Sequence, residues 1–137
     1  LLKELDNTIE IKFINNLDQI ILNSDKEQLS RVFFNLIKNS IESIHQKIEK
    51  DSNCSKKISI ELIDNDDHIG LIIIDTGVGF GELKSNIKNI MNPYFTTKKN
   101  GTGLGLSIVN KIINDHNGKI DFIPFDDGAK IEIIFVK

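Results

Sequence analysis

Residues 25–50 read DKEQLSRVFFNLIKNSIESIHQKIEK and predict one long helix. Apolar side chains recur with the 3.6-residue period of an α-helix, at Leu29, Val32, Phe33, Leu36, Ile37, Ile41, Ile44 and Ile48. Asp25 is suited to cap the helix, and Gln28 stands three residues later, at the spacing of a capping box. The pattern ends near Lys50. A helix with so broad an apolar face has to bury that face against a second layer of secondary structure.

Alternating or continuous apolar runs on both sides of this helix predict the strands of that layer. The predicted strands are Thr8–Ile14, Gln19–Leu22, Ile58–Ile63, Gly70–Asp75, Lys119–Phe125 and Ala129–Val136. Because Gly70–Asp75 is apolar up to its last residue, we expect this strand to be buried on both sides. A second helix is predicted at Leu104–Asp115 and a short one at Glu82–Asn89. The fold class is therefore α/β: a two-layer α/β sandwich, with a mixed β-sheet and helices packed on one face.

Length and composition limit the functions to consider. The 137 residues fit one domain, and a formal net charge of −3 gives no basic surface for nucleic acid or anionic lipid. Cys54 is the only cysteine, which favours a reducing, cytoplasmic setting. The longest apolar run, Ile69–Ile74, is too short to cross a bilayer. Since the chain begins with Leu rather than Met, we expect a fragment of a longer protein.

The first candidate for chemistry is a pair of asparagines on the long helix. Asn35 and Asn39 are four residues apart and lie on one helical face, which Glu42 continues. Asparagine is a weak helix former, and its amide oxygen is a hard ligand of the kind Mg²⁺ prefers. A solvated polar face is the alternative explanation.

The second candidate is Asp75-Thr76-Gly77-Val78-Gly79, at the end of a buried strand. Its glycines allow a sharp turn or a close approach to a ligand. A carboxylate at this place can accept a hydrogen bond from an exocyclic amine such as that of adenine. The alternative is a turn closed by the aspartate side chain itself.

The third candidate is Gly101-Thr102-Gly103-Leu104-Gly105-Leu106, which runs into the second helix. Glycines before a helix N-terminus expose backbone N–H groups, and the helix dipole adds positive charge, so phosphate is the natural ligand. The spacing fits neither a dinucleotide-binding fingerprint nor a Walker A loop. A flexible hinge is the alternative.

The fourth candidate is Pro93-Tyr94-Phe95-Thr96-Thr97-Lys98, two aromatic residues within a polar loop. The rings could pin the loop to the core or form part of a lid, with Thr97 and Lys98 reaching phosphate. His45, His68 and His116 are not placed for metal binding or for a Ser-His-Asp triad, and we interpret them as surface or capping residues.

Together and in this order, the four segments resemble the nucleotide-binding boxes of the histidine kinase catalytic domain. That family shares a superfamily with DNA gyrase, the Hsp90 chaperones and the MutL repair proteins. Residues 34–42 resemble the asparagine box, residues 75–80 the first glycine box, residues 93–98 the phenylalanine box and residues 101–109 the second glycine box. Asn-Ser-Ile-Glu-Ser, where Asn-Ala-x-Glu-Ala is usual, and the Thr-Thr-Lys run are most similar to the nitrogen-regulation (NtrB/NtrY-like) branch.

The resemblance implies a Bergerat-type ATP-binding fold over residues 1–137, with an ATP lid at about 81–102, and ATP and Mg²⁺ as cofactors. Asn39 would hold Mg²⁺ and Asp75 would receive the adenine amine. Asn35, Asn39 and Lys98 would be the catalytic residues. The other nucleotide-binding residues would be Gly77, Gly79, Thr97, Gly101, Thr102, Gly103, Leu104, Gly105 and Leu106.

Asn35 separates the kinases from their relatives. Gyrase-like ATPases have a glutamate there to activate water, whereas an amide cannot take that proton. Some branches of the family have a basic residue at the position of Glu42. In this sequence that phosphate contact is absent, or Lys98 supplies it.

The resemblance also implies partners outside this chain. The acceptor histidine would lie on a separate dimerisation domain, so this chain would bind ATP without phosphorylating itself. It implies a monomeric fragment of a homodimeric kinase that passes phosphate to a response regulator. It leaves open whether the parent is anchored in the inner membrane.

Two other functions are compatible with parts of the sequence. A nucleotide-binding regulatory module without kinase activity would use the same boxes. A homodimeric aspartic protease would use Asp75-Thr76-Gly77 after an apolar strand, with two chains sharing one pair of carboxylates. The protease interpretation conflicts with two long helical patterns, because such enzymes are nearly all β.

Overall fold

Strands and helices follow one another in the predicted order. A computed structural model describes residues 9–14, 24–79, 105–125 and 128–137. Over these residues the elements are β1 (Glu10–Ile14), α1 (Lys26–Lys50), β2 (Lys57–Asp64), β3 (His68–Asp75), α2 (Gly105–Asp115), β4 (Gly118–Phe125) and β5 (Gly128–Val136). The strand predicted at Gln19–Leu22, the short helix predicted at Glu82–Asn89 and the lid at about 81–102 lie outside the described residues.

The strands form one mixed sheet in the order β1-β2-β3-β5-β4. β1 pairs with β2 in parallel, and the other three pairs are antiparallel. The register places Ile73 of β3 between Ile60 of β2 and Ile131 of β5, so these side chains share one face of the sheet. This arrangement confirms the predicted mixed sheet.

Both helices pack on that face. The core between the layers consists mainly of isoleucine, valine and leucine, each of which contributes roughly 1.5–3 kcal/mol when fully buried. Its members include Val32, Leu36, Ile37 and Ile44 of α1, Val109, Ile112 and Ile113 of α2, and Ile58, Ile60, Leu71, Ile73, Ile131 and Ile133 of the sheet. The predicted two-layer α/β sandwich is therefore confirmed.

The prediction that the strand at Gly70–Asp75 is buried on both sides is wrong. The strand begins earlier, at His68, and its exposure alternates: Ile72 and Ile74 are only half-buried. These two side chains point away from the helices, and Ile72 has Glu61 and Glu132 as its neighbours across the sheet. A continuous apolar run did not distinguish a central strand with one covered face from a strand covered on both.

The N-terminus of α1 is held by a residue far along the chain. Asp25 caps the helix as predicted, with Oδ1 accepting the N–H of Gln28 at 3.1 Å. The N–H of Asp25, which a capping box would give to the side chain of Gln28, donates instead to Nε2 of His116 at 3.0 Å. Nδ1 of His116 donates to the carbonyl of Ile112 at 2.7 Å. One imidazole thus links the start of α1 to the end of α2.

Replacing His116 with alanine should destabilise the domain by about 1 kcal/mol, because two hydrogen bonds between the helix ends are lost. Urea unfolding of the free protein measures this change. Asn114→Ala is the matched control, since it removes an exposed polar side chain from the same turn of α2 without touching the link. An equal loss of stability in both variants would show that the imidazole link contributes nothing.

Candidate functional site

The candidate site is built around Asp75, the last residue of β3. Its side chain is only 5% exposed, and it lies on the sheet face that the helices cover, between Ile58 of β2 and Ala129 of β5. Oδ1 accepts the N–H of Gly77 at 2.9 Å, which is the turn hydrogen bond anticipated as an alternative. A carboxylate has lone pairs for several bonds, so closing the turn leaves acceptor capacity for a ligand.

Burial raises the pKa of the Asp75 carboxyl above its ordinary value, because the charged form loses water. The N–H of Gly77, the hydroxyl of Ser40, the charge of Lys47 and the N–H of Ala129 act in the opposite direction. The hydroxyl of Ser40 is close enough to favour the ionised form, although it is not in hydrogen-bond geometry with any described group. A buried carboxyl surrounded by donors is a common feature of binding sites.

The turn that follows Asp75 packs directly on α1. A Cβ at Gly77 would overlap the Ser43 side chain and lie 2.6 Å from the carbonyl carbon of Ser43. The N–H of Val78 donates to the Ser43 carbonyl at 3.3 Å. Glycine is therefore required at position 77 by contact with the helix, a reason that the sequence did not reveal.

The start of β5 closes the other side of the same turn. Gly79 has φ +70°, and a Cβ there would lie 2.6 Å from the carbonyl oxygen of Gly128. Gly128 has φ +155°, and its Cβ would overlap the carbonyl oxygen of Asp75. In the sequence Gly128 lies between two predicted strands, and nothing local indicates that it packs against Asp75.

Thr76 anchors the turn to the loop before β2. Its hydroxyl donates to the carbonyl of Ser55 at 2.8 Å and accepts the N–H of Lys57 at 3.0 Å, while its own N–H donates to the Lys57 carbonyl at 3.1 Å. The turn is thus held from the helix, from β5 and from the loop before β2, which fixes the direction of the Asp75 side chain.

The asparagine pair lies on the helix that covers this turn. Asn35, Asn39 and Ser43 succeed one another at four-residue intervals, so they form a stripe along α1. Since Ser43 contacts Gly77, Asn39 lies one helical turn, about 5.4 Å, from that contact and Asn35 lies two turns away. Both asparagines are half-buried.

The N-terminus of α2 points toward the same region. The two helices pack against each other, and His116 ties the end of α2 to the start of α1, so α2 runs antiparallel to α1. Its 11 residues span about 16 Å, which brings its first turn beside the middle of α1, where the asparagines lie. Apart from its chain neighbours and the backbone of its own helix, no described atom lies within 4 Å of a Cβ built at Gly105, whereas Leu106 packs against the core.

Other predicted site residues cannot be placed. Thr97, Lys98, Gly101, Thr102, Gly103 and Leu104 lie outside the described residues. Of the second glycine loop, the structure therefore describes only the end that enters α2. Over the residues it does describe, the turn after Asp75 lies against the helix that carries Asn39 through Gly77, and Gly79 lies against Gly128 at the start of β5.

Comparison with known proteins identifies the fold. Residues 24–137 match the family of histidine kinase-, DNA gyrase B- and HSP90-like ATPases. The chain belongs to this family. The catalytic domain of the histidine kinase ThkA has the same fold with a TM-score of 0.76, at 29% identity over 99% of this chain and 88% of that one.

The relatives of this chain include sensor histidine kinases. A putative sensor histidine kinase, NtrY-like, of Rickettsia felis is 38% identical over 135 residues, which are 97% of this chain and 21% of that protein. Sporulation kinase A of Bacillus subtilis is 35% identical over 96% of this chain and 20% of its own length. The chain thus spans about a fifth of these relatives.

These findings confirm that the chain is an ATP-binding catalytic domain of the histidine kinase type, similar to the NtrY-like branch. They leave the roles of individual residues as predictions.

The protease alternative does not agree with the geometry, because Asp75 is buried beneath α1 rather than presented to a second chain. Among the described residues, no helix is long and apolar enough to cross a membrane.

Proposed function

We propose that this domain transfers the γ-phosphate of ATP to a histidine on a separate dimerisation domain of the same kinase. The observation that carries the proposal is the buried carboxyl of Asp75, held by donors beneath a helix with two asparagines. The relatives named as sensor histidine kinases support it. A histidine nitrogen needs no activated water, so catalysis consists of positioning the nucleotide and neutralising the charge of its phosphates.

In this proposal the Asp75 carboxylate accepts the exocyclic amine of adenine. The turn at Gly77 and Gly79 forms one wall of the base pocket, and its rigidity keeps the carboxylate in place. The phosphates would lie at the N-terminus of α2, at the N–H groups of Gly105 and Leu106, and the resemblance gives Gly101, Thr102, Gly103 and Leu104 the same role. The length of α2 supports this placement, because it brings that terminus near Asn39.

Mg²⁺ would be held by Asn39 together with the ATP phosphates. Within the residues that the structure describes, no group of three or more histidine, cysteine, aspartate or glutamate side chains could form a protein cage for a metal. A neutral amide oxygen beside a phosphate site fits a cation that keeps several waters and binds through the nucleotide. The bound ion would neutralise charge on the transferred phosphoryl group, and Asn39 would orient it.

Asn35 would contact the nucleotide without acting as a base. Lys98 and Thr97, in the proposed lid at about 81–102, would approach the phosphates after ATP has bound. Because an amide at position 35 cannot deprotonate water, this domain should hydrolyse ATP slowly in the absence of its histidine partner. The domain would extend over residues 1–137.

The partners follow from the same proposal. The parent would be a homodimer through the dimerisation domain, and the phosphohistidine would pass its phosphate to a response regulator. This domain alone would be a monomer on the cytoplasmic side, and the parent could carry a membrane anchor elsewhere.

The proposal is tested by mixing the domain with the purified histidine-bearing domain of its parent, radiolabelled ATP and Mg²⁺. We expect acid-labile phosphohistidine on the partner and none on this chain. ATP binding without any phosphohistidine would instead indicate a regulatory nucleotide-binding module.

Replacing Asn39 with alanine should reduce phosphotransfer about ten- to a hundredfold, because one ligand of the phosphate-bound cation is lost. Calorimetry with and without Mg²⁺ should show that mainly the Mg²⁺-dependent part of the ATP affinity disappears. Asn53→Ala, an exposed asparagine in the loop after α1, is the control and should behave as wild type. A loss that is the same with and without Mg²⁺ would exclude Asn39 as the cation ligand.

A further inference from the structure

The inference concerns His116, whose side chain joins the two helices. The N–H of Asp25 donates to Nε2 of His116 at 3.0 Å, and Nδ1 donates to the carbonyl of Ile112 at 2.7 Å. A backbone N–H can only donate and a carbonyl can only accept, so the ring is neutral in this arrangement and has its hydrogen on Nδ1. One side chain therefore closes the end of α2 and holds the start of α1.

The end of α2 is itself fixed to the sheet. Gly118, two residues after His116, begins β4 and pairs with Phe135 of β5. A Cβ at Gly118 would lie 2.8 Å from Cγ2 of Ile113 and 2.9 Å from Cδ1 of Phe135, so helix and strand meet there in close contact. Phe135 in turn pairs with the start of β3, so this corner lies at the opposite end of the sheet from Asp75.

The helix α1 is held at two places, and the asparagines lie between them. Ser43 contacts the turn at Gly77, and at the start of the helix His116 binds the N–H of Asp25. At 1.5 Å per residue, Asn35 lies about 12 Å and Asp25 about 27 Å from Ser43. Without the link the stiff helix can pivot at Ser43, and a little under half of any displacement at Asp25 then reaches Asn35.

The first turn of α2 does not follow such a movement. Since α2 is fixed at the corner with Gly118 and has three buried side chains in the core, Gly105 stays in place while Asn35 shifts. The 11 residues of α2 put Gly105 about 16 Å from the link, level with Asn35, which is about 15 Å from Asp25. The link therefore determines the gap between the asparagines and the start of α2.

We propose that His116 is a positioning residue for phosphoryl transfer. By holding the start of α1, it fixes the distance from the two asparagines of that helix to the N–H groups of Gly105 and Leu106. A hydrogen bond has a required distance and angle, whereas the apolar core beneath α1 is non-directional. This inference rests on the proposed function, in which these groups hold Mg²⁺ and the phosphates; His116 itself does not touch the nucleotide.

Binding of the base should not depend on the link. The turn after Asp75 contacts α1 at Ser43, where the helix pivots without being displaced. Gly128 and the loop before β2 hold the same turn from other sides. A loss that affects the phosphates and spares the base therefore distinguishes positioning from a general loss of stability, which would affect both.

The test uses two substitutions that each keep one of the two hydrogen bonds. The amide oxygen of His116→Gln takes the place of Nε2 and accepts the N–H of Asp25, so the link is kept. The amide of His116→Asn takes the place of Nδ1, so only the bond to the Ile112 carbonyl is kept. Asp25→Ala is the control for stability, because it removes the oxygen that caps the N–H of Gln28 but leaves the backbone N–H for His116.

Each variant is titrated with Mg·ATP and with adenosine, and its phosphotransfer to the purified histidine-bearing domain is measured at saturating ATP. We expect His116→Ala and His116→Asn to lose about threefold in Mg·ATP affinity and about tenfold in transfer rate, since small misplacements slow a reaction that depends on alignment. Their adenosine affinity should be unchanged. His116→Gln and Asp25→Ala should behave as wild type in all three measurements.

Three results would overturn the inference: equal losses in His116→Gln and His116→Asn, a loss in Asp25→Ala as large as in His116→Ala, or equal losses of Mg·ATP and adenosine affinity. Full transfer activity in His116→Ala would overturn it as well. If wild type transfers no phosphate to the histidine-bearing domain, the proposed function fails, and the comparison of Mg·ATP with adenosine affinity still tests the link.

Discussion

Replacing Asp75 with asparagine should abolish ATP binding and at the same time stabilise the free domain at neutral pH. Binding should weaken about a hundredfold or more, because the adenine amine loses a charged acceptor and meets an amide in its place. The amide retains an oxygen for the N–H of Gly77, so the turn should persist. Few substitutions in this domain should separate binding from folding so cleanly.

The gain in stability follows from the raised pKa of Asp75. Burial makes the folded protein retain the Asp75 proton at pH values where the unfolded chain, with an ordinary carboxyl pKa near 3.8, has lost it. The free energy of unfolding due to this group therefore falls as pH rises from 3.8 through the raised pKa. Above this pH range Asp75 is fully ionised, and the buried charge destabilises the folded wild-type protein by its full amount. The neutral side chain of Asp75→Asn does not cause this destabilisation.

Calorimetry with ATP and urea unfolding between pH 3 and pH 8 measure both effects. The difference in stability between Asp75→Asn and wild type should be smallest at acidic pH, grow as Asp75 ionises, and then stay constant. Asp66→Asn, an exposed aspartate in the turn before β3, is the control and should change neither quantity. If Asp75→Asn binds ATP within threefold of wild type, Asp75 does not hold the base.

Replacing Gly77 with alanine should destabilise the domain by about 3 kcal/mol and weaken ATP binding, since the added methyl group has to push the turn away from α1. The obstacle includes backbone: the new Cβ would lie 2.6 Å from the carbonyl carbon of Ser43. The hydrogen bond from Val78 to the Ser43 carbonyl would lengthen as well. Displacing the turn also moves Asp75, so stability and affinity should fall together.

The double variant Ser43→Ala, Gly77→Ala provides a sharp check. Because the backbone and the Cβ of Ser43 remain in the way, removing its hydroxyl should not restore stability. Gly105→Ala is the stability control, since no described atom lies near its Cβ and alanine favours a helix. Full recovery in the double variant would show that the helix backbone is not the obstacle.

Much of the fold follows from short-range patterns in the sequence. The period of apolar residues located α1, whose predicted end at Lys50 agrees with the structure. The alternation at Ile58–Ile63 and the apolar run ending at Asp75 located two neighbouring strands. These signals were sufficient because periodicity reports which face of an element is buried.

Contacts between distant parts of the chain could not be predicted in this way. His116 and Asp25 are 91 positions apart, and no local pattern pairs an imidazole with a helix cap. Gly128 lies between two predicted strands, and no local pattern shows that its position is determined by the backbone of Asp75. Such contacts depend on the order of strands in the sheet, which the sequence did not specify.

The site was predicted unevenly for the same reason. Asp75 and Asn39 were proposed as site residues because their chemistry is conspicuous at the end of a strand and in the middle of a helix. Ser40 was noted only as a departure from the usual box, since a serine in a helix becomes informative only when its burial and neighbours are known.

The parallel pairing of β1 with β2 has a consequence for how the domain assembles. All of α1 lies between these two strands in the sequence, whereas the hairpins β2–β3 and β4–β5 join strands that are adjacent in the sequence. Closing the longer segment costs more chain entropy, so we expect β1 to join late during folding and to exchange its amide hydrogens before the central strands do. The nucleotide-binding end, on β3 and β5, would then retain its shape while the edge of the sheet opens and closes.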